Sequence, residues 1–377
     1  MSTYFKKIFV VLVIISLISL SCTKIDTDSQ SSDYTGDLTY SNQYVDAVFV
    51  SEGQFSYGTG SLTTLSSSGL VTQDVFRQAN DRPIGDVPQS LIEIGDNYYI
   101  AVNNSKKIEV VNKYDFTSVE TITFSDSYDV IPMYIAHLGG DSIAVTDQTY
   151  TTGANLYIVD INHGEVRTEV RRQISMPSAT FQLKVVNDKL FVAGDALYVF
   201  DLHSLTSEAM RIVVDEYGDS FEICDFSKLC LDSEGLLWCL TSDGVVCVDP
   251  ISESVVTKLT KDGISSLWGS IDIDNEGENL YFNVGSEVYR VDTRNMSINQ
   301  TPVLIHDNDD DDWTTYTLGV SKNSTIFIVR VLYGSITRGR VFEYTTEGEI
   351  ANYYTDSDGE RVPYFKAGIF PHHIHFL

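Results

Sequence analysis

Basic residues are scarce in this chain: 25 Lys and Arg stand against 53 Asp and Glu, a formal net charge of −28 over 377 residues. Nucleic acid and anionic lipid are both gripped through a basic footprint, so neither is expected as a partner. Cysteine is nearly absent as well, with five residues in all. Cys22 stands alone near the start, and Cys224, Cys230, Cys239 and Cys247 are bunched in one stretch with none elsewhere to pair with. Their spacing holds no close C-x-x-C pair, and Cys239 and Cys247 fall in apolar strands, which argues against a zinc site. One local disulfide and buried free thiols both remain open. Sustained helical periodicity is missing outside the N-terminal segment, which excludes helical and α/β classes. No G-x-S-x-G nucleophile motif occurs, and carboxylates do not recur at corresponding positions of the repeat described below. Asp86 and Glu222 come nearest, from nonadjacent repeats, so catalysis and a bound cofactor are not expected.

Three segments are expected. Lys6 and Lys7 precede an uncharged apolar run from Ile8 to Leu20, the layout of a secretory signal, and the run is too short to span a membrane comfortably. Ser19-Leu20-Ser21-Cys22 resembles a bacterial lipobox, with Ser19 in place of the usual Leu. It assigns residues 1–21 to the signal peptide and Cys22 to lipidation, which would hold the protein on a membrane. Residues 22–46, rich in Ser, Thr, Asp and Tyr, are expected as a flexible tether. From residue 47 to 377 no linker interrupts the chain.

That length is explained by repetition. A short strand of aromatic and β-branched residues recurs with centres at Phe49, Ile100, Ile143, Phe191, Trp238, Tyr281 and Phe327, every 43 to 51 residues. This is the period of a four-stranded propeller blade, so the expected fold is an all-β, seven-bladed β-propeller. A second strand follows each of these and closes on a turn-forming acid, as in Leu156–Asp160, Leu197–Asp201, Val245–Asp249 and Val288–Asp292, with Asn112 in the same place in blade two. Inner strands begin at Pro88, Pro132 and Pro177, where a residue without an N–H costs no ladder bond. Looser copies lie near Phe226, Trp268 and Tyr316. Blade one has no such copy near the N-terminus, whereas Pro371–Phe376 supplies one at the other end. The C-terminal segment should therefore be the inner strand of blade one and close the ring.

Ser51 to Leu62 (SEGQFSYGTGSL), Gly85 to Ser90 (GDVPQS), Asn103 to Val111 (NNSKKIEVV) and Ala367 to Pro371 (AGIFP) resemble YncE-like propeller lipoproteins of the Bacteroidetes surface. That family includes the cobalamin-capturing partner of the outer-membrane vitamin B12 transporter. The resemblance implies an outer-membrane, surface-exposed lipoprotein that captures a small-molecule ligand, with a corrinoid foremost, and passes it to a TonB-dependent transporter. A glycan-binding propeller, an envelope interaction scaffold, and a propeller lactonase or lyase are the alternatives.

The binding surface follows from propeller geometry. Loops leading into the inner strands, and loops joining second to third strands, open on one face around the axis. The second-to-third loops supply Gln54, Phe55 and Tyr57 from blade one, Asn103 and Asn104 from blade two, Gln148 and Tyr150 from blade three, and Tyr333 from blade seven. The starts of the inner strands supply Gln89, Met133, Tyr134 and Trp268, together with Trp313, Tyr316, His372 and His373. The set is rich in aromatic rings and amides and poor in charge, which suits a large amphipathic ligand. On a strand His373 and His375 share a face while His372 points away, so channel-lining hydrogen bonding is expected of them before metal ligation. The acidic run Asp307–Asp312 lacks the glycine and distal glutamate of a calcium hand and is expected as a solvated loop.

Overall fold

The computed structural model describes residues 45–124, 128–147, 154–161, 169–306 and 312–377. Cys22, Gln148, Tyr150 and Asp307–Asp311 lie outside the described residues, as does the N-terminal signal. The described chain forms seven small antiparallel sheets set around an axis, a seven-bladed β-propeller, and a two-stranded hairpin pairing Tyr354–Thr355 with Arg361–Val362 in a loop of blade seven. Each repeated apolar centre lies in the second strand of its blade: Val45–Ser51, Asn97–Val102, Ser142–Asp147, Lys189–Gly194, Leu237–Thr241, Asn279–Val284 and Ile326–Leu332. The first of these begins two residues inside the segment expected as tether.

The ring closes as the sequence implies. Pro371–Phe376 pairs antiparallel with Val45–Ser51, setting Phe49 opposite Ile374 and Val50 opposite His373. Strand side chains alternate between the two faces of a sheet, and here both faces are covered by neighbouring blades. Tyr99, Ala101, Ile108 and Val110 of blade two thus pack on Ile135, Ile143, Val145 and Tyr157 of blade three. Each such Val, Ile or Leu removed from water contributes roughly 1.5–3 kcal/mol. The turn acids act as caps: Asp201 Oδ1 accepts from the His203 amide at 2.8 Å, Asp249 from Ile251 at 2.8 Å and Asn112 from Tyr114 at 2.9 Å. Asp160 instead accepts from Arg171 Nε at 2.9 Å.

Departures from expectation are local. Val75–Asn80 forms a short helix that buries Val75 and Phe76 in the apolar cluster between blades one and two, too short to show a period in sequence. The fourth inner strand begins at Thr180 and not Pro177, while those of blades five and six shrink to Cys230–Leu231 and Ile271–Ile273. Their leading segments run as loops, which frees Phe226 and Trp268 from the ladder. Cys224, Cys230, Cys239 and Cys247 are buried and form no disulfide.

Two glycines position the inner strands. A Cβ on Gly60 would come within 2.2 Å of the Pro88 ring, and one on Gly339 within 2.4 Å of the Pro371 ring. The residues before those prolines, Val87 (φ 55°) and Phe370 (φ 50°), both sit in the left-handed region, which bulky side chains avoid. Both are tied to one residue: Glu52 N donates to Phe370 O at 3.0 Å, and Val87 N donates to Glu52 O at 3.1 Å.

Candidate functional site: an aromatic funnel on the axis

Glu52 begins the loop after the second strand of blade one, so its backbone ties hold its carboxyl at the upper end of the axis. Tyr316 Oη donates to Glu52 Oε1 at 3.1 Å, and the Gln89 amide also bonds the carboxyl. His372, second residue of the closing strand, reaches across the axis. Its Nε2 hydrogen-bonds with Tyr134 Oη at 3.0 Å, and its Nδ1 lies 3.5 Å from Glu52 Oε1. Its ring meets Phe226 edge-on at 5.1 Å and Tyr316 at 5.7 Å. One imidazole therefore touches blades one, three, five and seven and forms the floor of a funnel.

Aromatic rings build the walls above it. Phe181 meets Phe226 at 5.6 Å, and Trp268 meets Tyr316 at 5.2 Å and Tyr333 at 5.5 Å. Phe370 completes this side, 5.7 Å from Tyr316 and 5.9 Å from Tyr333. At the rim Phe55 and Tyr57 are 42% and 69% exposed. Blades one to seven all contribute, through Glu52, Gln89, Tyr134, Phe181, Phe226, Trp268 and Tyr316 in turn.

The floor is held neutral by burial. Desolvation raises the Glu52 carboxyl to about 7, against the opposing hydrogen bonds from Tyr316 and Gln89. Burial likewise lowers His372 to about 4 and raises the Tyr134 and Tyr316 phenols. Between the His372 and Glu52 values these four side chains present hydrogen-bonding groups and π-faces without charge.

The structure brings Gln89, Tyr134, Trp268, Tyr316, Tyr333 and His372 into one site, with Gln54, Phe55 and Tyr57 on the loop above. Asn103 and Met133 are buried between blades two and three, where Asn103 Nδ2 donates to Met133 Sδ at 2.9 Å. Asn104 is exposed and bonds Asp86. Trp313 stands apart from the cluster: it is buried in blade seven with the Arg340 guanidinium 4.1 Å above its ring. His373 and His375 face blade two, where His375 lies 5.6 Å from the Tyr98 ring and 3.6 Å from Glu93. Sequence reasoning missed Glu52, Phe181, Phe226 and Phe370. Glu52 adjoins Gln54 and Phe55 in a loop already assigned to the face, so its position was available from the repeat. A separate cleft of about 310 Å3 between blades three and four, lined by Leu138, Ile158, Arg171 and Leu205, lies at the opposite end of the blades.

The arrangement defines a seven-bladed β-propeller with an aromatic cluster gathered on its axis. Residues 46–349 match the family described as a domain of unknown function (DUF5074), and the chain belongs to that family. Among solved structures it is similar to hydrazine synthase of Kuenenia stuttgartiensis, at 13% identity and a TM-score of 0.51 over 76% of this chain and 90% of that one. It is also similar to virginiamycin B lyase of Staphylococcus aureus, at 10% identity and a TM-score of 0.47 over 73% and 84%. At such identity the first likeness shows the propeller fold alone. No curated protein matches the chain.

Proposed function

We propose that the protein is a lipid-anchored binding module of the outer-membrane surface that captures a small amphipathic ligand in the axial funnel and hands it to a TonB-dependent transporter. The observation that supports capture is the convergence of side chains from all seven blades on one floor of rings and neutral hydrogen-bonding groups. Such a lining suits a flat ligand edged with amides, and the resemblance of blades one to three makes a corrinoid the ligand to try first. The anchor at Cys22 and the transporter rest on the sequence alone.

Calorimetric titration of the soluble propeller with cyanocobalamin and cobinamide tests the reading. Saturable one-to-one binding, weakened at least tenfold by Trp268→Ala, is the expected result. Absence of heat with either corrinoid removes them and leaves a glycan or a protein partner. One observation favours a second reading: a carboxyl raised to about 7 beside tyrosine hydroxyls could move a proton on a bound substrate, as in a propeller lyase or lactonase. Recovery of chemically unchanged ligand after long incubation would exclude it.

A further inference from the structure

Glu109 displays what a buried carboxylate requires in this protein. Its side chain has no exposed surface, yet Arg82 Nη2 and Lys107 Nζ each lie 2.6 Å from it. Burial pushes its pKa up, and bonds from Arg82, Lys107 and Ser118 more than reverse the shift. Glu52 is set differently. Its hydrogen-bond partners are the Tyr316 hydroxyl and the Gln89 amide, and the His372 imidazole 3.5 Å away is kept uncharged by burial. Among the described residues no lysine or arginine reaches it.

Beside this unneutralised carboxyl lies a closed circuit of four rings, each touching two others: Trp268 to Tyr316, Tyr316 to Phe370, Phe370 to Tyr333, and Tyr333 back to Trp268. Tyr333 is 38% exposed, so the circuit opens to solvent. The Phe370 backbone is held at φ 50° before a proline, and the same Glu52 amide fixes it there. A bulky residue kept in that region marks a place where the position of a ring is worth local strain. A net charge of −28 draws cations toward the surface.

We propose that the funnel holds an organic cation, an alkylated ammonium group of the captured ligand, with Glu52 as its counter-ion and the rings of Trp268, Tyr316, Tyr333 and Phe370 as its π-walls. This deepens the reading of the funnel as a ligand site and rests on it. Aromatic faces attract ammonium groups most strongly where water is excluded, and a carboxylate alongside supplies the full opposite charge. A bound cation favours the ionised carboxylate, so binding should expel the proton that Glu52 carries in the free protein. The titratable groups facing Glu52 are His372 of the closing strand, Tyr316 and Tyr333 of blade seven and Tyr134 of blade three, with Asp225 of blade five beyond Tyr134. His372, Tyr316, Tyr333 and Tyr134 are neutral between pH 5 and 8, which leaves Glu52 as the group that titrates in contact with the ligand.

The test titrates the full propeller with choline and with its uncharged carbon isostere, 3,3-dimethyl-1-butanol, in buffers of differing ionisation heat. Choline should bind, the isostere should not, and about one proton should be released per choline at pH 6. With the carboxyl at about 7, affinity should fall about a hundredfold from pH 8 to pH 5. Glu52→Gln should weaken binding at pH 8 at least tenfold and abolish the pH dependence. Trp268→Phe, which keeps a ring, should retain more affinity than Trp268→Ala. Equal binding of the two probes, or choline binding unchanged in Glu52→Gln, would overturn the cation assignment, as would no heat with either. The corrinoid titration judges the funnel separately: corrinoid binding without choline binding sinks the cation and keeps the funnel.

Discussion

Replacing Glu52 by Gln should stabilise the folded protein above neutral pH and leave it unchanged in acid. In the unfolded chain the carboxyl ionises at its ordinary 4.5, whereas burial raises it to about 7 in the fold. Between those values the native state binds more protons than the unfolded state, so stability falls as pH rises. The contribution is full below 4.5, declines through the window and is lost above about 7. The interval of roughly 2.5 units, at 1.36 kcal/mol each, amounts to about 3 kcal/mol. Glutamine keeps the shape and the hydrogen bonds but has no charge to desolvate. For a propeller of ~330 residues, with an unfolding entropy near 2.1 cal/mol/K per residue, 3 kcal/mol corresponds to about 4 °C in Tm. His372 works in the opposite sense: lowered from 6.5 to about 4, it gives stability that is full above 6.5 and lost as pH falls. That arm is common to wild type and variant and cancels in their difference. The assay is thermal unfolding of both proteins from pH 4 to pH 8, followed by the fluorescence of buried Trp238. A difference in Tm that stays constant across that range would refute the reasoning.

The remaining predictions concern the ring and its thiols. Ile374→Ala should cost about 2–5 kcal/mol in urea unfolding, since Ile374 is 3% exposed and packs on Ala47, Phe49, Tyr316 and Phe327. A loss below 1 kcal/mol would mean the closing strand is not held by its apolar face. Cys230 and Cys247, both pushed up to about 12 by burial, should resist iodoacetamide in the native protein at pH 8 and react with Cys224 and Cys239 only after denaturation. Mass spectrometry after alkylation reads this directly.

Much of the fold was legible because a propeller repeats its signals. Each second strand announces itself with a run such as Tyr98-Tyr99-Ile100 or Leu190-Phe191-Val192, and a turn acid ends the next strand. Pro371 carried enough of the inner-strand pattern to identify the closing strand at its true bounds. Weak signals failed where tertiary packing decides. Val75–Asn80 is helical where Val75 and Phe76 pack into the apolar cluster between blades one and two, and six residues are too few for a period. At the site, sequence could name loops but not the direction of side chains. Met133 and Tyr57 both stand in loop-proximal positions, yet one is 1% exposed and the other 69%. Trp313 was drawn to the axis by its position and is held away from it by Arg340. Glu52 was overlooked because acids were sought at the starts of inner strands, while its role comes from a backbone tied to both Val87 and Phe370.

Closure of the ring by Pro371–Phe376 also sets the order in which the molecule matures. Chains are made from the N-terminus, and the strand that Val45–Ser51 needs is made only after the strands of the other six blades. Until then blade one keeps a bare edge, and the funnel lacks both His372 and Phe370. The floor of the axial cluster and the sealed edge are therefore completed in the same event. A chain cut short by even ten residues would lack the floor of the axial cluster and keep an edge open to aggregation or proteolysis at once.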